Sequence, residues 1–141
     1  MNILNNMHLN FKQFKLKTFI NTGISLTPLE MKDYIDFEVK RVYFITDFTK
    51  DTGQHCHKIE KELFVCQRGT VVAVIDRGNG LEEILLRGPE DAIYLGIYVW
   101  HGFKNASPDC ILLALSSTNY SVDRNDYVTD YEEYKKICQK F

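Results

Sequence analysis

Nothing in these 141 residues approaches the length of a membrane span, and residues 1–10 lack the apolar stretch of a signal peptide. No repeat, low-complexity tract or linker interrupts the chain. Neither sign of charge dominates. Seventeen Lys and Arg stand against nineteen Asp and Glu, a net charge of -2, which argues against broad, non-specific nucleic-acid binding and leaves only local phosphate-holding clusters. Cysteine is scarce and unpaired in pattern. Cys56, Cys66, Cys110 and Cys138 form no C-x-x-C pair, and three lie in apolar or strand-like runs. They read as reduced thiols packed as small hydrophobes, without a zinc-thiolate site, and the expected location is the cytoplasm. The three prolines, Pro28, Pro89 and Pro108, fall where turns are expected.

What is present is an ordinary globular composition, 45% hydrophobic and 26% charged. A chain of this size forms one domain, residues 1–141, and buries about two-thirds of its unfolded surface. Short runs rich in Val, Ile, Tyr and Phe predict strands at Lys40–Thr46, Leu63–Gln67, Thr70–Asp76, Glu82–Leu86, Ala92–Leu95, Tyr98–Lys104 and Cys110–Ser116. The Asn79-Gly80 pair marks a hairpin turn. Many short strands at this spacing predict an all-β sandwich or barrel. One short helix is expected at residues 130–138, with Asp130 as N-cap, Glu133 completing a capping box, and Tyr131, Tyr134, Ile137 and Cys138 forming its apolar stripe. Met7–Ile20 alternates basic and apolar residues and reads either as an edge strand or as a loose arm. His8 receives no role.

The histidines carry the chemical signal. His55 and His57 flank Cys56, and in a strand residues two apart share a face. Glu62 follows after a polar stretch, 58–61, that reads as a turn, and Gly69 comes later. This His-x-His-x4-Glu-x6-Gly spacing resembles the first motif of the cupin superfamily, and His101 with Asn105 resembles the end of the second. Taken literally, His55, His57, Glu62 and His101 would form a three-histidine, one-carboxylate metal site suited to Fe, Mn, Ni or Zn. The same histidines equally describe a polar barrel interior without metal.

A longer, collinear likeness extends over residues 24 to 136. Lys40–Ile45, Gly53–Lys58, Leu63–Gly69, Val99-Trp100-His101, Asp109–Ser116 and Asp126–Tyr131 together resemble the sugar 3,4-ketoisomerase family of cupins. The resemblance implies a cupin-type double-stranded β-helix, a jelly-roll barrel with one short C-terminal helix. It implies an isomerase that moves the ketone of dTDP-4-keto-6-deoxyglucose from C4 to C3. The product would feed 3-amino-3,6-dideoxy sugars of bacterial surface glycans, made by a homodimer without metal or other cofactor. Residues 1–23 form an N-terminal arm that either stays with its own barrel or exchanges with the dimer partner. Two positions depart from the family pattern: Thr52 stands where arginine is usual, and Glu62 where glutamine is usual, restoring the carboxylate of the metal-binding motif.

Moving a carbonyl to the neighbouring carbon requires a base for the C3 proton and a group that handles protons at C4 or its oxygen. His55 is the expected base and His57 its partner, because histidine titrates near neutral pH. Tyr43 is expected to donate to the intermediate oxygen, and Arg41, on the same strand face, to pair with diphosphate or enediolate. Arginine and tyrosine alternating on a strand also describe a surface pair. Trp100 stacks on thymine or sugar, or belongs to the core. With Arg41, the residues Glu62, Trp100 and His101 complete the expected substrate contacts. His101 is expected to approach the ring from another side than His55 and to favour the galacto product. Two other readings stay open: a metal-dependent cupin enzyme using the His₃-Glu set, and a non-catalytic cupin that binds a nucleotide sugar.

Overall fold

A computed structural model describes residues 9–141; His8 and the first part of the arm lie outside them. The chain begins with β1 (Phe11–Lys15), β2 (Phe19–Asn21), β3 (Ile24–Leu26), α1 (Met31–Tyr34) and β4 (Arg41–Ile45). β5 (Cys56–His57), β6 (Glu62–Arg68), β7 (Thr70–Asp76), β8 (Leu81–Arg87) and β9 (Asp91–Leu95) follow. β10 (Trp100–Lys104), β11 (Ile111–Ser116), β12 (Tyr127–Val128) and α2 (Tyr131–Cys138) complete it. One antiparallel sheet runs β1-β9-β6-β11-β4 and the other β10-β7-β8. A bridge between His55 and His101, closed by backbone hydrogen bonds of 3.0 and 2.8 Å, ties β10 to the β12–β5 pair. The two sheets face each other as the jelly-roll barrel that the resemblance implied.

Alternation along the strands explains the packing. Phe64, Cys66, Ile93, Leu95, Leu112 and Ala114 of the first sheet meet Val71, Ala73, Ile75 and Phe103 of the second. The intervening residues Leu63, Val65, Ala92, Tyr94 and Leu115 point to the opposite face, where Leu29, Tyr34, Ile35, Phe37 and Val39 cover them. A central strand buried on both faces reads as a continuous apolar run, as Leu63–Cys66 does. Asp130 caps α2 by accepting from the backbone N–H groups of Glu132 and Glu133 at 2.9 and 3.2 Å.

The N-terminal ambiguity resolves in two parts. Phe11–Lys15 is an edge strand on β9, while β2 and β3 form a hairpin whose six residues are all exposed. β10 starts at Trp100, later than expected, because Tyr98 takes a φ of 62° that no strand accommodates.

Candidate active site

Strand parity brings the polar groups to one end of the barrel. On β6, Glu62 shares the inward face of Phe64 and Cys66. On β4, Arg41, Tyr43 and Ile45 turn inward while Val42 and Phe44 are exposed. On β10, His101 and Phe103 turn inward, and on β5 His57 does so with His55 two residues before it. Together with Thr52, Gly53, Glu60 and Tyr127 these residues line a single cleft.

Inside it the imidazoles touch. His55 Nε2 lies 3.1 Å from His57 Nε2, and the ring centroids of His55 and His101 are 4.7 Å apart. His57 Nδ1 lies 3.2 Å from Asp126 Oδ2 and 3.4 Å from Glu60 Oε1, and its Nε2 lies 3.4 Å from Glu62 Oε1. Asp126 is itself held by the backbone N–H groups of Ile59 and Glu60. Tyr127 packs its ring against both His55 and His57, at centroid distances of 4.8 and 4.5 Å.

These surroundings push two adjacent histidines apart. Burial, reinforced by neighbouring His101 and His57, drives His55 down to about 3. Its ring is therefore neutral near pH 7 and has a lone pair to offer. Burial also opposes charge on His57, but the hydrogen bond and charge of Glu62, with Glu60 and Asp126, outweigh it and raise its pKa. Two neighbouring histidines whose pKa values are pushed in opposite directions can serve acid–base chemistry at adjacent carbons.

The depressed His55 has a consequence for stability. Below pH 6.5 the unfolded chain takes up a proton at this residue that the folded chain refuses until about pH 3. Stability from this group therefore falls as pH drops through that window. His55→Asn is expected to lose less melting temperature between pH 7 and pH 4.5 than the unaltered chain, as thermal denaturation at the two pH values will show.

Several expected residues sit differently. Trp100 does not reach the cleft. At 2% exposure it packs on Tyr131 and Tyr134 of α2 and donates its indole N–H to Gln54 Oε1 at 3.0 Å, because it points to the opposite face of β10 from His101. The Tyr43 hydroxyl donates to Glu62 Oε2. Burial, then the Glu62 charge, pushes that phenol upward, so it stays protonated and its hydrogen bond goes to Glu62 within the cleft. Arg41 Nη2 is paired with Glu60 Oε2 at 2.9 Å, while its buried Nε has no partner. His101 stands beside His55 and His57. Its ring lies in the same cluster, with Nδ1 3.0 Å from the Val99 carbonyl and Nε2 3.5 Å from Glu62 Oε1.

Glu60, Asp126 and Tyr127 were not singled out as site residues. Segment 58–61 reads as a polar turn, yet Glu60 is only 4% exposed. Asp126 and Tyr127 lie 69 and 70 residues beyond His57, and only the fold joins them to it. A larger cleft of about 470 Å³ lies between α2 and the Asp76–Gly80 turn. There Asp76 is occupied by the N–H groups of Gly78 and Gly80 and by the Tyr131 hydroxyl, which makes it a turn-closing residue.

Fold and site together define a small jelly-roll protein built for acid–base chemistry. Residues 9–139 match the family described as "FdtA: WxcM-like, C-terminal". A TDP-4-oxo-6-deoxy-alpha-D-glucose-3,4-oxoisomerase from Aneurinibacillus thermoaerophilus is 35% identical over 131 residues, 92% of this chain and 93% of that protein. QdtA, a sugar 3,4-ketoisomerase from Thermoanaerobacterium thermosaccharolyticum solved with TDP, superposes with a TM-score of 0.84 at 32% identity, covering 95% of this chain and 98% of that one. A histidine-to-asparagine variant of QdtA, with the same TM-score of 0.84, is in complex with TDP-4-keto-6-deoxyglucose. The TDP-quinovose 3,4-ketoisomerase WlaRB of Campylobacter jejuni gives a TM-score of 0.80 at 31% identity, covering 90% of this chain and 98% of that one. The chain belongs to the FdtA family of sugar 3,4-ketoisomerases.

Proposed function

We propose that the protein isomerises TDP-4-keto-6-deoxy-D-glucose to a TDP-3-keto-6-deoxyhexose through an enediol, and that turnover requires no metal. The observation that carries this reading is the contact, at 3.1 Å in an accessible cleft, of a neutral His55 with a His57 whose pKa is raised by its carboxylate neighbours. His55 removes the proton on C3, and the electron pair of that C–H bond forms the C3–C4 double bond as the C4 oxygen takes a proton from His57. In the second half the C3 hydroxyl loses its proton, C3 becomes the carbonyl, and C4 receives a proton. C3 is oxidised, C4 is reduced, and no external electron carrier is needed. Glu62, Glu60 and Asp126 raise the pKa of His57, and the unpartnered Arg41 Nε is the group offered to an anionic oxygen of substrate.

The stereochemistry follows from the clustering of the imidazoles. In the gluco substrate the C3 hydrogen occupies one face of the ring. A proton returned to C4 on that same face gives the galacto configuration, and return on the other face gives gluco. His55, His57 and His101 share one side of the cleft, which supports same-face transfer and dTDP-3-keto-6-deoxygalactose. A proton NMR time course with dTDP-4-keto-6-deoxyglucose and chelator-treated enzyme in D₂O tests both claims. Conversion is expected with deuterium at C4, and a parallel run in H₂O, where C4 takes up a proton, is expected to show a small H4–H5 coupling. An unchanged substrate rejects the activity, and a large trans-diaxial coupling in first-formed product rejects the galacto assignment.

The reading includes a homodimer. β4 is a free sheet edge that exposes Val42 and Phe44, and the β2–β3 hairpin exposes Phe19, Ile20, Ile24 and Leu26, with Ile20 82% exposed. Such apolar surface is expected to be covered by a second copy. Within the arm, residues 1–23, β1 pairs with β9 of its own chain, so β2 with its hairpin mate is the part that reaches a partner. Light scattering is expected to give a dimer mass for the intact chain and a monomer for Ile20→Asp combined with Phe44→Asp. Free, largely buried cysteines and a nucleotide-sugar substrate support a cytoplasmic location. No described helix is long and apolar enough to cross a membrane.

A further inference from the structure

The cleft that holds the histidines measures about 90 Å³, well under the roughly 300–1,000 Å³ of a typical small-molecule site. It has room for the reacting part of a hexose and none for a nucleotide. C1 lies across the sugar ring from C4, and the diphosphate hangs from C1. With C3 and C4 at the imidazoles, the nucleotide therefore lies outside, along the mouth. The interior also offers a diphosphate little. Glu60, Glu62 and Asp126 surround His57. Arg41, the one arginine or lysine among the described lining residues, spends Nη2 on Glu60 at 2.9 Å.

One wall of the mouth is the loop 117–126 between β11 and β12, and both of its ends are pinned to the turn that follows His57. At one end the N–H of Ser117 donates to the Lys61 carbonyl at 3.0 Å, and the N–H of Lys61 to Ser117 Oγ at 2.8 Å. At the other the N–H of Lys58 donates to the Asp126 carbonyl at 2.9 Å. Between these anchors the loop presents an aromatic face and a guanidinium. Tyr120 is 60% exposed, and its ring lies 5.8 Å from the Arg41 guanidinium. Arg124 takes a φ of 54° in a turn closed by Asp123, which accepts from Ser121 Oγ at 2.7 Å and from the Asn125 N–H at 3.0 Å. Its guanidinium lies 4.2 Å over the ring of Tyr127, which is itself packed on His55 and His57. Arg124 is exposed, and among the described residues no carboxylate pairs with it.

We propose that this loop is the nucleotide-binding rim of the site, with Arg124 holding the diphosphate and Tyr120 stacking on the base. A guanidinium meets phosphate oxygens in pairs, and Arg124 is one aromatic ring removed from the imidazoles, where a group on C1 lies. Tyr120 stands at the Arg41 side of the same mouth. It offers the aromatic face that Trp100, buried under α2, does not. The identity of the ligand rests on the isomerase reading.

The test is calorimetry with TDP at two salt concentrations, on variants whose melting shows that they fold. Arg124→Gln is expected to weaken TDP about tenfold or more, the worth of a hydrogen bond between charged groups, and to flatten the salt dependence of binding. Arg124→Lys should recover part of that loss. Tyr120→Ala is expected to weaken TDP about fivefold or more without flattening the salt dependence, while Tyr120→Phe keeps the ring and the affinity. In turnover the Arg124→Gln loss should fall mainly on KM, because the contact is made alike in ground and transition states. Arg87→Gln is the control. It removes the same charge at the other end of β7, where Arg87 pairs with Thr70, whereas Ile75 pairs with His101. Equal affinity of Arg124→Gln and Arg87→Gln would overturn the diphosphate contact, and equal affinity of Tyr120→Ala and Tyr120→Phe the base contact. Unaltered protein that converts the keto sugar while every variant binds TDP alike keeps the isomerase reading and loses the rim. TDP binding that depends on Arg124, without conversion of the sugar, does the reverse. An unaltered protein that binds no TDP also sinks the rim.

Discussion

His55→Asn is expected to lower kcat by about 10²–10⁴, the contribution typical of a positioned general base, with a much smaller change in KM. Asparagine keeps the size and hydrogen-bonding capacity of the side chain but cannot take a proton. The loss should therefore fall on the chemical step, while affinity for TDP, measured by calorimetry, stays near that of the unaltered chain. Loss of turnover with retained affinity also separates an enzyme from a cupin that only binds nucleotide sugar. Near-normal turnover would move the base to His57, the other imidazole within 3.1 Å. His57→Asn is expected to hurt less if that residue only assists, and so is Tyr43→Phe, since its hydroxyl is spent on Glu62.

The second large effect belongs to Asp126, which acts through His57 as a positioning residue. Removing the carboxylate that orients a catalytic histidine costs about 10⁴ in the serine-protease triad. Here His57 keeps Glu60 and Glu62 as neighbours, so Asp126→Asn is expected to lower kcat by about 10–10³. A purely structural role is distinguished by the pH profile. Asp126 is one of the groups that raise the His57 pKa, so its removal should shift the limb on which activity falls with rising pH to lower pH. A fall in kcat without that shift would make Asp126 only a support for the Ile59 and Glu60 backbone.

Much of the fold was legible because strand parity and turn chemistry are local. Thr70–Asp76 formed as expected, six further strands agreed to within one or two residues, and Asp130 caps the C-terminal helix. The elements without a signal were β2, β3, β12 and α1, each four residues or shorter and so too brief to show a period. Trp100 shows the limit of parity. Its neighbour His101 was assigned to the cleft, and alternation alone sends the two side chains to opposite faces, but only α2 packing on the outer face reveals which of them is core.

From the sequence alone came the all-β class, the shared face of His55 and His57, and the candidate partners Arg41, Tyr43, Glu62 and His101. The class and the shared face follow from residue type and the period of two that a strand imposes on its own side chains; the partners came from the resemblance to the cupin motifs and to the ketoisomerase family. Only the tertiary structure decided that the Tyr43 hydroxyl is bound to Glu62, that His101 joins the same cluster as His55, and that Glu62, Glu60 and Asp126 raise the pKa of His57. Those relations join β4, β5, β6, β10 and the segment before β12 across as many as 69 residues of chain. They set the pKa values through burial and distance, and neither quantity exists until the barrel closes.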